Sequence, residues 1–191
     1  MNILYLMRHG ETDANRNFIV QGRMDNPLNQ TGMDQAKKTG EFLKAKQEHF
    51  DLIVSSPLKR AYDTARIICK VLGDQKTVLT QFNLTERNFG DFDGKKIDAE
   101  YAQKVVHDEI PNMEHNAELE DRVFGALKDL CLHYPNKKLL IVAHSHVIKA
   151  VLVHLIPNFT YTSFLANCSI NQISYDGVTF KAIAHNINPL E

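Results

Sequence analysis

The sequence predicts an α/β fold, a three-layer α/β/α sandwich with a mostly parallel central sheet. Three observations lead there. Short apolar runs alternate with segments of helical periodicity, the pattern of strands joined by crossover helices. Residues 139–143 are apolar without a break, as a parallel strand covered on both faces requires. The polar residues with useful chemistry gather where strands end, and open α/β sheets bind ligands at that rim.

The elements follow in chain order. Residues 3–7, Ile-Leu-Tyr-Leu-Met, form the first strand. A loop comes next, with Gly22, Asn26-Pro27 and Asn29 as turn residues. Thr31 caps a helix and Asp34 closes the capping box in place of the usual Glu; the helix runs to about Lys46. Residues 52–54 form the second strand. Ser56 caps the following helix with Pro57 at its first position. That helix carries Leu58, Ala61, Tyr62, Ala65, Ile68 and Leu72 on one face, and Gly73 stops it. Residues 77–79 make a short third strand, and 84–94 a loop. Helices cover 99–106 and 118–132, the second with Leu119, Val123, Leu127 and Leu130 at helical spacing. The fourth strand, 139–143, leads into a helix over 147–155. Two last strands, near 170–175 and 180–184, are joined through Asp176-Gly177, a hairpin signal. No repeat or low-complexity linker intervenes, and 191 residues with 43% hydrophobic content suit one domain, 1–191.

Composition narrows the function classes. A charged fraction of 24% and a net charge of -1 give no global basic field for nucleic acid and no polybasic membrane patch. No stretch has the length of a membrane span, and the first apolar run ends at Arg8, too soon for a signal peptide. Cys69, Cys131 and Cys168 form no CxxC or zinc spacing and sit among apolar residues, so they read as buried thiols of a reducing compartment. These points predict a cytoplasmic protein. The nine histidines form no HExxH or other metal spacing. Any anion site must therefore be locally positive.

The strand ends supply such a site. Strand one ends in Arg8-His9-Gly10: a cation, a nucleophile or base, and a residue that lets backbone N–H groups approach an anion. Strand two ends in Ser55-Ser56-Pro57, with Arg60 in the next helical turn. Strand three leads to Glu86 and Arg87. Strand four ends in His144-Ser145-His146 and opens a helix, whose N-terminus favours anions. Singly, Arg60 reads as a surface charge, Glu86 as a loop carboxylate and His144 equally as a core histidine. Their joint placement at four successive strand ends points to phosphoryl chemistry.

The chain resembles the histidine phosphatase superfamily, the phosphoglycerate mutase-like fold. The resemblance rests on Arg8-His9-Gly10-Glu11-Thr12 with Asn15, Gln21-Gly22, Ser55-Ser56-Pro57-Leu58-Lys59-Arg60-Ala61, Leu84-Thr85-Glu86 with Phe89-Gly90 and Gly94, and Val142-Ala143-His144 with Val147-Ile148. It implies that His9 attacks phosphorus and becomes a phosphohistidine. It further implies that Arg8, Asn15, Arg60 and His144 bind the phosphoryl group, and that Glu86 protonates the leaving oxygen and then takes a proton from water. No metal or other cofactor is required. The partner is a small-molecule phosphomonoester, bound by a monomer or homodimer.

Gln21, Gly22, Arg87, Ser145 and His146 are further candidates for substrate contact. Ser145 and His146 stand where the family commonly has glycine; Ser145 narrows the phosphate pocket or adds a hydrogen bond, and His146 lines the cleft or merely decorates a helix start. Phe92 replaces a frequent tryptophan. Glu114 and Arg122 match a family pair, but the glycine and serine expected around Glu114 are missing, so the pair is given no role. Arg87, Lys95 and Lys96 offer charge to an acidic substrate.

Three functions compete: a phosphatase, a bisphosphoglycerate-dependent phosphoglycerate mutase, and a non-catalytic phospho-ligand binder. The short insertion after Gly90, the absence of tryptophan and the early end after the last strand favour an open cleft, in which water reaches the phosphoenzyme. The intact set of His9, Arg8, Arg60, Glu86 and His144 disfavours the silent binder.

Overall fold

A computed structural model describes residues 1–74 and 76–191. Its strands are β1 (Asn2–Arg8), β2 (Leu52–Ser55), β3 (Leu79–Thr80), β4 (Lys138–Ala143), β5 (Ile170–Tyr175) and β6 (Phe180–Ile187). The α-helices are α1 (Asp13–Arg16), α2 (Gln30–Ala45), α3 (Lys59–Leu72), α4 (Ala99–Val106), α5 (Asn116–His133) and α6 (Ser145–Leu155). The strands form one sheet in the order β3-β2-β4-β1-β5-β6. The first four of that order run parallel, and β5 and β6 are antiparallel.

The two-residue period of the strands divides the core. Leu4 and Leu6 of β1 join Leu139, Ile141 and Ala143 of β4 under α5 and α6. Tyr5 and Met7 join Leu140 and Val142 under α2 and α3. This is the expected α/β/α sandwich. A third cluster, Val20, Phe89, Phe92, Tyr101, Val105, Ile110 and Met113, gathers the insertion around α4 into a lobe beside the sheet. Among the described residues no helix is long and apolar enough to cross a membrane. The three cysteines are buried free thiols.

Parallel register brings the strand ends together. Arg8 pairs with Ala143 and Ser55 with Val142. The His9 N–H then donates to the Ala143 carbonyl at 3.0 Å, and the Ser56 N–H to the Val142 carbonyl at 3.0 Å. His9, Ser56 and His144 thus leave the sheet side by side.

Several local expectations are corrected. Asn29, not Thr31, caps α2: its side chain accepts the Gly32 N–H at 2.9 Å, while its own N–H is held by the Glu11 carbonyl at 3.1 Å. Helix α3 starts at Lys59, later than Ser56-Pro57 suggests, because Asp25 Oδ1 accepts the Lys59 N–H at 2.7 Å. β3 lies at 79–80 instead of 77–79. α5 begins two residues earlier than expected, through a His115/Glu118 capping box. α6 likewise begins at Ser145, immediately after His144.

Gly32 lets α2 press against the His9 loop. A Cβ at Gly32 would lie 2.1 Å from the Glu11 carbonyl oxygen, and one at Gly10 would lie 2.4 Å from the Gly32 carbonyl oxygen. Both obstacles are backbone, so neither can swing away. Gly32→Ala is expected to lower stability by roughly 1–3 kcal/mol, the usual cost of overpacking, read as a shift of the urea midpoint. An unchanged midpoint would show that this contact is slack.

Candidate active site

His9 is buried, with its Nδ1 2.7 Å from the Gly10 carbonyl oxygen. A carbonyl only accepts, so Nδ1 carries the hydrogen and Nε2 keeps the lone pair. Burial first, then the Arg60 and Arg8 charges, hold the His9 pKa well below the ordinary histidine range. The imidazole is therefore neutral and nucleophilic. The His144 ring stands edge-on to it, with centroids 5.2 Å apart.

Ser56 orients His144. Its Oγ accepts the Leu58 N–H at 3.3 Å and lies 2.8 Å from His144 Nε2. Among the described residues the His144 Nδ1 is buried without a hydrogen-bond partner. Burial and the neighbouring cations, Arg60 foremost, hold His144 neutral as well.

The two guanidiniums are fixed by backbone carbonyls. Arg60 is 1% exposed and donates to the Met24 oxygen at 2.6 Å and the Gly22 oxygen at 2.8 Å. Burial lowers its pKa to about 10, so it remains charged. Arg8 donates to the Leu165 oxygen at 2.5 Å. Among the described residues the Nε atoms of both arginines are buried without a partner. Asn15 turns its Oδ1 to Thr12 N at 3.2 Å and to Asn167 Nδ2 at 3.4 Å, which leaves its amide donors without a protein acceptor.

Glu86 is buried, with Oε1 accepting the Arg87 N–H at 2.9 Å and Oε2 the His146 N–H at 3.4 Å. Burial raises its pKa, against the pull of these bonds and of Arg60.

Other candidates take different places. Arg87 is turned into the protein. Its guanidinium is fully buried, donates to Glu114 O, Asn116 Oδ1 and Asp108 Oδ1 at 2.8, 2.9 and 2.6 Å, and ties the lobe to α5. His146 neither lines an open cleft nor lies free at a helix start. Its ring is buried, stacked on Tyr161 at 5.3 Å and edge-on to Phe89 at 4.8 Å. Ser145 is half-buried in the first turn of α6. Gln21 braces the loop, its Oε1 accepting from Thr12 Oγ1 and Asn26 Nδ2. Gly22, at φ +46, faces Asp93 so closely that a Cβ would meet Oδ1 at 2.0 Å. Lys95 and Lys96 are exposed on the lobe, Lys95 over the Phe92 ring.

Sequence reading missed several contributors. Glu114 and Arg122 form a bidentate pair at 2.5 and 2.9 Å, and the Arg122 charge reaches both Glu86 and His144. Asn167 donates to the His9 carbonyl at 2.9 Å. Lys149, on the buried face of α6, donates to the Tyr161 carbonyl at 2.6 Å, and burial lowers its pKa to about 8.

The neutral histidines set a pH dependence of stability. His9, His144 and His146 have folded pKa values depressed well below 6.5. Below 6.5 the unfolded chain binds protons that the folded chain refuses, so stability is full above that pH and falls as pH drops. Each group contributes up to about 1.4 kcal/mol per pH unit. Glu86, with its raised pKa, acts with the opposite sign above 4.5 and offsets part of this. The expected result is a urea midpoint that declines between pH 7 and pH 5. A flat midpoint would mean that these imidazoles titrate normally.

Comparison with known proteins gives the same grouping. The model of the histidine phosphatase superfamily (branch 1) matches residues 4–188. The chain is 39% identical over 191 residues to the uncharacterized phosphatase PhoE of Bacillus subtilis, covering 98% of this chain and 96% of that one. A crystal structure of a mutant phosphoserine phosphatase from Entamoeba histolytica, in complex with phosphoserine, matches with a TM-score of 0.84 and 28% identity over 100% of both chains. Phosphoglycerate mutase from Bacillus anthracis shares the fold, with a TM-score of 0.85 at 23% identity over 97% of this chain and 92% of that one. The chain belongs to the histidine phosphatase superfamily, branch 1.

Proposed function

We propose that this protein is a metal-independent phosphomonoester hydrolase that works through a phosphohistidine at His9. One observation carries the reading. Among the described residues Arg8 Nε and Arg60 Nε are buried donors without acceptors and His144 Nδ1 is a buried ring nitrogen without a partner, and both arginine charges act on His9 and His144. A buried unmet donor costs about 1–3 kcal/mol. Two such donors and an unpartnered imidazole nitrogen around one neutral nucleophile suit an anion with several oxygens.

In the first step the His9 Nε2 lone pair attacks phosphorus and the P–O ester bond breaks. Protonated Glu86 gives its proton to the departing alkoxide oxygen. Arg8, Arg60 and His144 hold the phosphoryl oxygens throughout and supply the charge stabilisation. In the second step water attacks the phosphohistidine, Glu86 carboxylate takes the water proton, and the P–N bond breaks to release phosphate. Similarity to the phosphatase PhoE and to a phosphoserine phosphatase supports hydrolysis over transfer.

The test is inorganic phosphate release across a panel of phosphomonoesters with EDTA present. Alongside it, 3-phosphoglycerate with catalytic 2,3-bisphosphoglycerate is assayed for 2-phosphoglycerate. Phosphate as the main product supports the hydrolase. Much faster formation of 2-phosphoglycerate supports a mutase, and tight binding with neither product supports a silent binder.

A further inference from the structure

One cation beside the acid has no role in the phosphoryl step. Arg23 sits between Gly22 and Met24, whose carbonyls both grip Arg60. That grip fixes its backbone at the edge of the phosphoryl site. Its side chain reaches across to the Glu86 backbone, with Nε 3.4 Å from the Glu86 carbonyl oxygen. It thus lies beside the backbone of the proposed acid.

The Arg23 guanidinium is loosely held. The 3.4 Å bond lies beyond the usual 2.7–3.2 Å range. Its nearest carboxylate contact, Glu114 Oε2, is at 3.6 Å. Glu114 is already occupied by Arg122 in a bidentate pair. Asp93, the other acid that feels the Arg23 charge, is half-buried with a raised pKa. The Arg23 side chain is 47% exposed, so its donors can turn to a ligand.

We propose that Arg23 is a specificity residue that selects phosphomonoesters whose leaving group carries a second anionic group, such as a carboxylate, near the ester oxygen. The inference rests on the hydrolase reading above. Planar guanidinium donors match a carboxylate in pairs. Bound there, the carboxylate anchors the leaving group against the Glu86 proton.

The test compares 3-phosphoglycerate with glycerol 3-phosphate, which carries a hydroxymethyl group in place of the carboxylate. Phosphate release is measured for the intact protein, Arg23→Gln and Arg23→Lys, with p-nitrophenyl phosphate as a common reference. The native protein is expected to prefer 3-phosphoglycerate. In Arg23→Gln the ratio of the two kcat/KM values should fall by roughly ten- to a hundredfold, the size of one charge-assisted hydrogen bond. Arg23→Lys should recover part of that ratio. A fall of fivefold or more in Arg23→Gln supports the assignment. A smaller change, or no native preference for the carboxylate, overturns it. If the native protein releases phosphate from none of the three esters, the hydrolase reading itself has failed.

Discussion

His9→Ala is expected to abolish turnover and the covalent intermediate together. The loss in kcat should be about 10⁴-fold or more, the scale seen when a nucleophile is removed. Substrate labelled in the phosphoryl group should leave an acid-labile, base-stable adduct on the native protein and none on the variant. The imidazole is neutral in the folded protein, so its removal takes away no positive charge. Arg8 and Arg60 keep their carbonyl anchors at Leu165, Met24 and Gly22. The variant should therefore still bind inorganic phosphate with affinity close to native. Adduct formation on the variant would move the nucleophile elsewhere. A parallel loss of phosphate binding would mean that His9 builds the pocket rather than attacks.

Glu86→Gln should lower kcat for alkyl phosphates by roughly 10²–10⁴, the usual worth of a positioned general acid. p-Nitrophenyl phosphate should suffer less, because a good leaving group departs with little protonation. The sign of the pH effect follows from burial. Burial raises the Glu86 pKa above 4.5, so the acid form survives to higher pH than an exposed carboxyl would. The phosphorylation rate should fall as pH rises through that pKa, and Glu86→Gln should lose this limb. The glutamine amide still accepts through one oxygen but sets its NH₂ against either the Arg87 or the His146 N–H, which now meet separate carboxylate oxygens. A urea midpoint on the variant separates that structural cost from the chemical one. Equal losses on both substrates would reduce Glu86 to a binding role.

What could be read before the structure, and what could not, follows a physical division. The side chains proposed to carry the chemistry were legible: His9, Arg60, Glu86 and His144 follow strand signals, and a parallel sheet brings such ends to one rim. The backbone acceptors that orient them were not. Nothing in residue type announces that Leu165 O holds Arg8 or that Gly22 O and Met24 O hold Arg60, since every residue has a carbonyl. Helix starts failed where tertiary contacts outbid local capping. Thr31 is a fair cap, but Asn29 is fastened to Glu11, and Ser56 is drawn off to His144. The burial of Arg87 was not legible either, because its partner Asp108 lies 21 residues away, beyond α4. Asn167 and Lys149 were missed because each acts through a backbone carbonyl far off in sequence.

The position of β1 also governs how the chain must be assembled. This strand, the first of the six in chain order, lies between β4 and β5, the fourth and fifth. Roughly 160 residues of synthesis separate Met7 from its antiparallel partner Ile170, and at about 5–20 residues per second that takes on the order of ten to thirty seconds. For most of that interval β1 lacks both neighbours, since its parallel partner β4 begins only at Lys138. The nascent protein therefore depends on being kept from self-association, and its folding is dominated by distant contacts, which makes it slow. The same threading completes the anion site late, because the carbonyl that grips Arg8 and the amide that braces His9 both come from the segment just before β5. An incomplete chain thus holds Arg8 and His9 without the groups that anchor them, and these arrive only with closure of the sheet.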